Sequence, residues 1–259
     1  MEKNDIDTDG VLYSVLILGC NRGLGLELVR FLLGLKKPPK YLFATCHDQD
    51  TCSALHAYNL LWNPRKTKVK VLKLEVNDDR EIANVVTFIE QELDGVGLSV
   101  LINNAETHIR KDLETVSWDD MRRTFETNTI SPIIIARAFR SILSSFVLLG
   151  SNEAMSIKCC AAIVNINSVL GSITLNKEGG MYPYRASKTA LNMATRCLSR
   201  DLKDNGITVI SLHPRNIPNE SEGPLPYSFT ASHIIKFISS LNVTHTGGFY
   251  TYDGTLIQF

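Results

Sequence analysis

YSVLILGCNRGLG, residues 13–25, decides how the rest of the chain is read. YSVLILG (13–19) is apolar along its length, as a strand buried on both faces of a sheet must be. It runs directly into a turn carrying Gly19, Gly23 and Gly25, and then into an amphipathic helical stretch from about Leu24 to Leu35. Glycines in such a turn let the backbone bend tightly and approach an anion closely. The helix behind it presents unpaired N–H groups and the positive end of its dipole. A plain strand–helix turn would also use glycines, so the G-x-x-x-G-x-G spacing gains its weight from its place after a first strand.

The chain alternates apolar runs with amphipathic stretches. YLFATC (41–46), VKVLKLEV (69–76), LSVLINNA (98–105), CCAAIVNINS (159–168), ITVISLHP (207–214) and GGFYTYDG (247–254) are the further expected strands. Helices are expected over 82–93, over 118–149 with a kink or tight contact at Pro132, over 181–204 with Asn205-Gly206 as its stop, and near 234–241. This repeated β-then-α order predicts an α/β fold, a doubly wound parallel sheet of Rossmann type with helices on both faces. Residues 1–12 are expected to be a disordered lead-in and 13–259 one domain, with 215–228 a loop over the carboxyl edge of the sheet, where ligands bind in such folds.

With 27 basic and 27 acidic residues the net charge is zero, which argues against a nucleic-acid or anionic-membrane footprint. No uninterrupted apolar run reaches the roughly 18 residues of a membrane span, and the acidic start MEKNDIDTDG is unlike a secretory signal. The six cysteines lack metal-ligand spacing, so no metal is expected. Buried, reduced thiols and a cytoplasmic location are the expectation. His213 is expected to be a satisfied strand-end residue, His108 a surface or core polar residue, Met181 and Met193 core positions of a helix, and Trp118 a packed residue at a helix start.

MYPYRASK (181–188) places Tyr184 and Lys188 four residues apart, on one face of a helix. An ammonium beside a phenol favours the phenolate. The pair alone also arises by chance. It is joined, in order, by GCNRGLG, LINNA (101–105), Asn128 in NTISP, Ser168 in NINSVLG and the terminal GGFYTYDG. With these motifs the chain resembles the short-chain dehydrogenases/reductases, most closely the sniffer-like and C-factor-like carbonyl reductases, from Val15 to Phe259. The resemblance implies an oxidoreductase that reduces a small aldehyde, ketone or quinone by hydride transfer. Tyr184 would be the acid/base, Lys188 its tuner and the partner of the nicotinamide ribose, Ser168 a donor to the carbonyl oxygen, and Asn128 the holder of a relay water. Cofactor contacts would come from Gly19, Asn21, Arg22, Gly23, Leu24, Gly25, His47, Glu75, Val76, Asn103, Ala105, Tyr184, Lys188 and Pro214. A homodimer or homotetramer is implied through the helices at 118–149 and around Tyr184.

Arg22 in the glycine turn can pair with a 2′-phosphate, or be a solvated surface arginine. No acidic residue stands at the tip of the second strand, where Thr45, Cys46 and His47 precede Asp48. This favours NADP(H) over NAD(H). Three positions depart from the family pattern. Leu18 lacks the hydroxyl that ties the turn, Glu106 stands in place of a glycine beside the cofactor ribose, and Arg215 replaces the glycine after the sixth strand. They motivate the alternative of an impaired binding or interaction protein with a degraded cofactor site.

Overall fold

Seven strands form among the described residues of this computed structural model, which are 12–48, 52, 55, 67–150, 161–214 and 226–259. They are β1 (Ser14–Ile17), β2 (Tyr41–Cys46), β3 (Lys68–Lys73), β4 (Val100–Asn103), β5 (Ala161–Ile166), β6 (Ile207–His213) and β7 (Phe249–Thr251). Their spatial order is β3-β2-β1-β4-β5-β6-β7. Every neighbouring pair is parallel. The order reverses at β1, which pairs with β2 on one side and β4 on the other, so a crevice opens beyond their carboxyl ends.

The strand pattern sends alternate side chains to two cores. On one face Val15 and Ile17 pack with Leu28 and Leu32 of α1 (Gly23–Gly34) and with Ile234 and Ile238 of α6 (Tyr227–Ser239). On the other, Leu16 and Leu101 meet Ile89 of α2 (Asp79–Leu93), and Ile135 and Phe139 of α4 (Ser131–Gly150). β3 is the exception to the buried-strand expectation. It lies at the sheet edge, is only partly covered, and carries Lys68, Lys70 and Lys73, a composition that discourages edge-to-edge pairing.

The expected helix at 118–149 is interrupted. α3 (Trp118–Phe125) passes into a π-helical turn, Glu126–Ile130, before α4 begins. Pro132 is the second residue of α4, where its missing N–H costs little, so the irregularity lies just before the proline. Within 118–149 an 18-residue stretch of mean hydropathy 1.7 has a length and composition that would suit a membrane crossing. Its inner side instead covers the sheet through Ile135, Phe139, Ile142, Leu143 and Phe146.

Other expectations shift. Leu12, placed in the lead-in, is buried; residues 1–11 lie outside the described set. α5 (Tyr182–Asp201) stops short of Asp204, and a 3-10 turn leads to Gly206 at φ 69°. α6 starts seven residues before the position expected from periodicity, so the loop at 215–228 ends in its first turn, and residues 215–225 are outside the described set. Trp118 and Met193 are exposed rather than packed. The thiols are not uniformly buried and reduced. Cys46 and Cys52 form a disulfide, Cys197 is exposed, and Cys20 is buried, which pushes its thiol well above the ordinary value. Cys159 and Cys160 lie outside the described residues.

Phe139 is fully buried between α4 and the sheet. Phe139→Ala is expected to lower the unfolding free energy by about 3–5 kcal/mol, read as a lower urea midpoint at unchanged slope.

Candidate functional site

The glycine turn closes directly on the segment after β4. A Cβ on Gly19, whose φ is +72°, would lie 2.9 Å from Ala105 Cα, and one on Gly25 would collide with the Gly19 carbonyl oxygen and sit 2.7 Å from Asn104 Nδ2. The Asn104 amide donates to the Leu18 and Gly19 carbonyls at 3.0 and 2.8 Å. Thr45 Oγ1 accepts from Gly19 N at 3.3 Å. These two side chains tie the turn where Leu18 has no hydroxyl to offer. Leu24 is buried under the turn, and Asn21 and Gly23 are half-buried. Arg22 is the N-cap of α1 and makes no side-chain cap, so no side chain of its own takes the first-turn N–H groups. Its guanidinium is exposed and forms no ion pair among the described residues. These features fit a diphosphate.

Beyond β2 and β3, exposed His47 lies 3.3 Å from Glu75 through Nε2 and Oε2. Leu18, Val76, Asn103, Ala105 and Thr127 line a small recess beside it. Asn103 donates to Asn165 Oδ1 at 2.7 Å, and its own Oδ1 is buried without a hydrogen bond among the described residues. A buried acceptor of this kind suits a donor on a bound ligand. Pro214 follows His213 at the carboxyl end of β6, and Arg215 lies outside the described residues.

Ser168, Tyr184 and Lys188 come from β5's exit and from α5. Tyr184 and Lys188 are both buried in the chain, and the ammonium lies 5.5 Å from the phenol ring centre. Lys188 Nζ donates to the Ile166 carbonyl at 2.9 Å, which ties the end of α5's first turns to the end of β5. Ser168 Oγ accepts from Leu170 N at 3.2 Å and starts a 3-10 turn, Val169–Gly171. That turn presses on α5 so closely that a Cβ on Gly171 would lie 2.7 Å from the Lys188 carbonyl carbon. Asn167 donates to the Lys188 carbonyl and to Asn192 Oδ1. Met181, expected in the core, instead caps α5 in the left-handed region at φ 48°, a conformation costing a non-glycine residue about 1–2 kcal/mol.

Asn128 sits in the π-helical turn, a feature often found at functional sites. Its side chain clamps Thr107 from both sides, accepting from Thr107 N at 2.8 Å and donating to Thr107 O at 2.9 Å. It also donates to Ser187 Oγ at 3.1 Å. Asn128 thus joins the post-β4 segment to α5.

The clamp delivers the residue before it, Glu106. Its Oε2 accepts from Tyr184 Oη at 3.0 Å and lies 2.9 Å from Lys188 Nζ. His108, expected to be a surface or core polar residue, stacks on the Tyr184 ring with centres 4.1 Å apart. Burial pushes the Glu106 carboxyl up, but the charge and hydrogen bond of Lys188, the Tyr184 hydroxyl and His108 outweigh it and hold the group below the usual carboxylate range. The side chain keeps 37% of its surface exposed. The nicotinamide-ribose end of the expected cofactor site is therefore covered by the chain's own carboxylate, whereas the phosphate end fits. Sequence reading flagged Glu106 as an intruder but missed Thr45, Asn104, Thr107 and Ser187, whose roles depend on contacts 20 or more residues away. Only the LINNA motif hinted at Asn104.

Comparison with known proteins identifies the family and the fold. The family model described as short chain dehydrogenase matches residues 13–224. The C-signal protein of Myxococcus xanthus is 34% identical over 166 residues, covering 62% of this chain and 93% of that protein. The solved carbonyl reductase Sniffer of D. melanogaster superposes with a TM-score of 0.86 at 37% identity, over 96% of this chain and 100% of that one. A carbonyl reductase from chicken fatty liver, solved with NADPH bound, gives a TM-score of 0.82 at 31% identity, over 96% and 99% of the two chains.

Asn128→Ala leaves both Thr107 backbone groups without their side-chain partner. A loss of about 1–3 kcal/mol in unfolding free energy is expected, measured in urea. Glu106, with its pKa depressed in the fold, adds stability above the unfolded carboxylate value, and that stability disappears as pH falls through the folded value. The stability gap between wild type and Glu106→Gln is therefore expected to be largest at neutral pH and to shrink on acidification, followed by thermal melts across pH.

Proposed function

We propose a function from one premise: the chain belongs to the short chain dehydrogenase family. Within it, this protein is an NADP(H)-dependent carbonyl reductase acting on a small aldehyde, ketone or quinone. The observation that carries the reading is that Ser168, just past the carboxyl end of β5, and Tyr184 and Lys188, in the first turns of α5, are joined there by the Lys188 ammonium donating to the Ile166 carbonyl. The NADPH bound in the chicken carbonyl reductase supports the choice of cofactor.

Bound NADPH would supply the hydride. The chain's own residues would do the rest. The uncapped start of α1, with Gly19, Asn21, Gly23, Leu24 and Gly25, would cradle the diphosphate. Arg22 and His47 would face the 2′-phosphate, with Glu75 and Val76 beside the adenine. Asn103, Ala105 and Pro214 would line the path toward the nicotinamide. Ser168 and Tyr184 would donate toward the carbonyl oxygen as it gains charge, which is where fixed donors accelerate most. Tyr184 Oη would then hand over its proton, with Lys188 keeping the phenolate favourable. Asn128, whose side chain is already engaged with Thr107 and Ser187, would act by positioning that segment. Glu106 must rotate off Lys188 for this to proceed, and its open side gives it room.

A second reading is favoured by one observation, the Glu106 carboxylate on both catalytic side chains. In it the chain is an impaired family member that binds rather than turns over. Assembly into a homodimer or homotetramer through exposed apolar residues of α3 to α5, such as Trp118 and Met193, and a cytoplasmic location complete the proposal.

Tyr184→Phe keeps the ring and removes the proton. NADPH consumption with a panel of aldehydes, ketones and quinones is expected to fall by at least about 100-fold, with NADPH affinity and the circular dichroism spectrum retained. Turnover at the wild-type rate in that variant would sink the reductase reading.

A further inference from the structure

We infer that Glu106 is a built-in competitor for the nicotinamide ribose, so that this chain discriminates between the two halves of its nucleotide. The inference rests on the cofactor reading above and deepens it. One oxygen, Glu106 Oε2, takes both the Lys188 ammonium and the Tyr184 hydroxyl. These are the groups the reductase reading assigns to the ribose and the substrate. A carboxylate accepting from an ammonium is a stronger partner than a neutral hydroxyl, so a ribose diol has to displace the better acceptor.

The backbone on either side of Glu106 is held. Asn104 is tied to Leu18 and Gly19, and Thr107 is clamped by Asn128. Relief must come from rotation of the glutamate side chain alone. The charged and titratable groups facing it are Lys188 and Tyr184 from α5 and His108 from its own segment, with Arg110 touching His108 at 3.4 Å. Three of these favour the ionised carboxylate, so mild acidification does not release it and displacement does. The phosphate end is separate. The start of α1, Arg22 and Thr45 make no contact with Glu106 among the described residues. A ligand with adenosine and phosphates but no nicotinamide ribose therefore never meets the carboxylate.

The test is calorimetric titration of wild type, Glu106→Gly and Glu106→Gln with adenosine 2′,5′-bisphosphate and with NADPH, each protein first shown folded by circular dichroism. The bisphosphate is expected to bind all three within about twofold, whereas NADPH binds Glu106→Gly about tenfold tighter or more than wild type, with Glu106→Gln between. The glutamine variant keeps the shape and loses the charge, so it carries the test if the glycine variant does not fold. Equal NADPH affinity in all three, with the bisphosphate still bound, overturns the competition and leaves the cofactor reading standing. A parallel change for both ligands places the effect in the turn and overturns it as well. No binding of the bisphosphate to any of them overturns the cofactor reading, and this inference falls with it.

Discussion

The structure depends on how closely the glycine turn approaches the segment after β4. Gly19 lies against Ala105, Gly25 lies under the Gly19 carbonyl, and one amide, Asn104, bridges the Leu18 and Gly19 oxygens. Any side chain at Gly19 or Gly25 would force the two loops apart. Because β1 and β4 are neighbours where the strand order reverses, that spacing sets the width of the crevice. It also leaves the start of α1 facing the crevice with its N–H groups uncapped by Arg22.

From there a line of polar contacts crosses the carboxyl edge of the sheet. Asn103 meets Asn165, Asn165 meets Thr195, Thr195 meets Ser211, and Asn167 reaches Lys188, Asn192 and Ser211. Buried polar groups are costly when unpaired and specify one arrangement when satisfied. This lattice binds β4, β5, β6 and α5 into one register, and so fixes where Tyr184 and Lys188 stand relative to Ser168. Asn128 adds the strut from the π-helical turn.

The same rigidity places Glu106. A glycine there would leave the Lys188 ammonium facing the cleft. A glutamate held by clamped neighbours instead folds onto it, and the ion pair neutralises the charge that a bound ribose and a developing phenolate would both use. Family membership and the conformation of the site thus pull in different directions: the fold is that of the short chain dehydrogenase family, while the loop after β4 lays a carboxylate on Lys188 and Tyr184.

Much of this was legible in the residues. The alternation of apolar runs with amphipathic stretches specified a doubly wound parallel sheet, because strands buried on both faces and helices with one apolar stripe have few other ways to pack. The glycine spacing, and Tyr184 and Lys188 four apart on a helix, pointed to the two ends of the site. Element ends were less legible: α6 begins well before its apolar stripe suggests, and the break in the long helix is a π turn rather than the proline itself. Sequence by itself determined the architecture, since it follows from local pattern, and named Ser168, Tyr184 and Lys188 as candidates through the resemblance their motifs carry. Only the tertiary structure decided that Thr45 stands in for the missing hydroxyl of Leu18, that Asn128 is spent on Thr107 and Ser187, and that Glu106 lies on Lys188 and Tyr184. Each of those is a hydrogen bond or ion pair between residues 21 to 82 positions apart, set by which loops the sheet order brings together, and no local pattern encodes it.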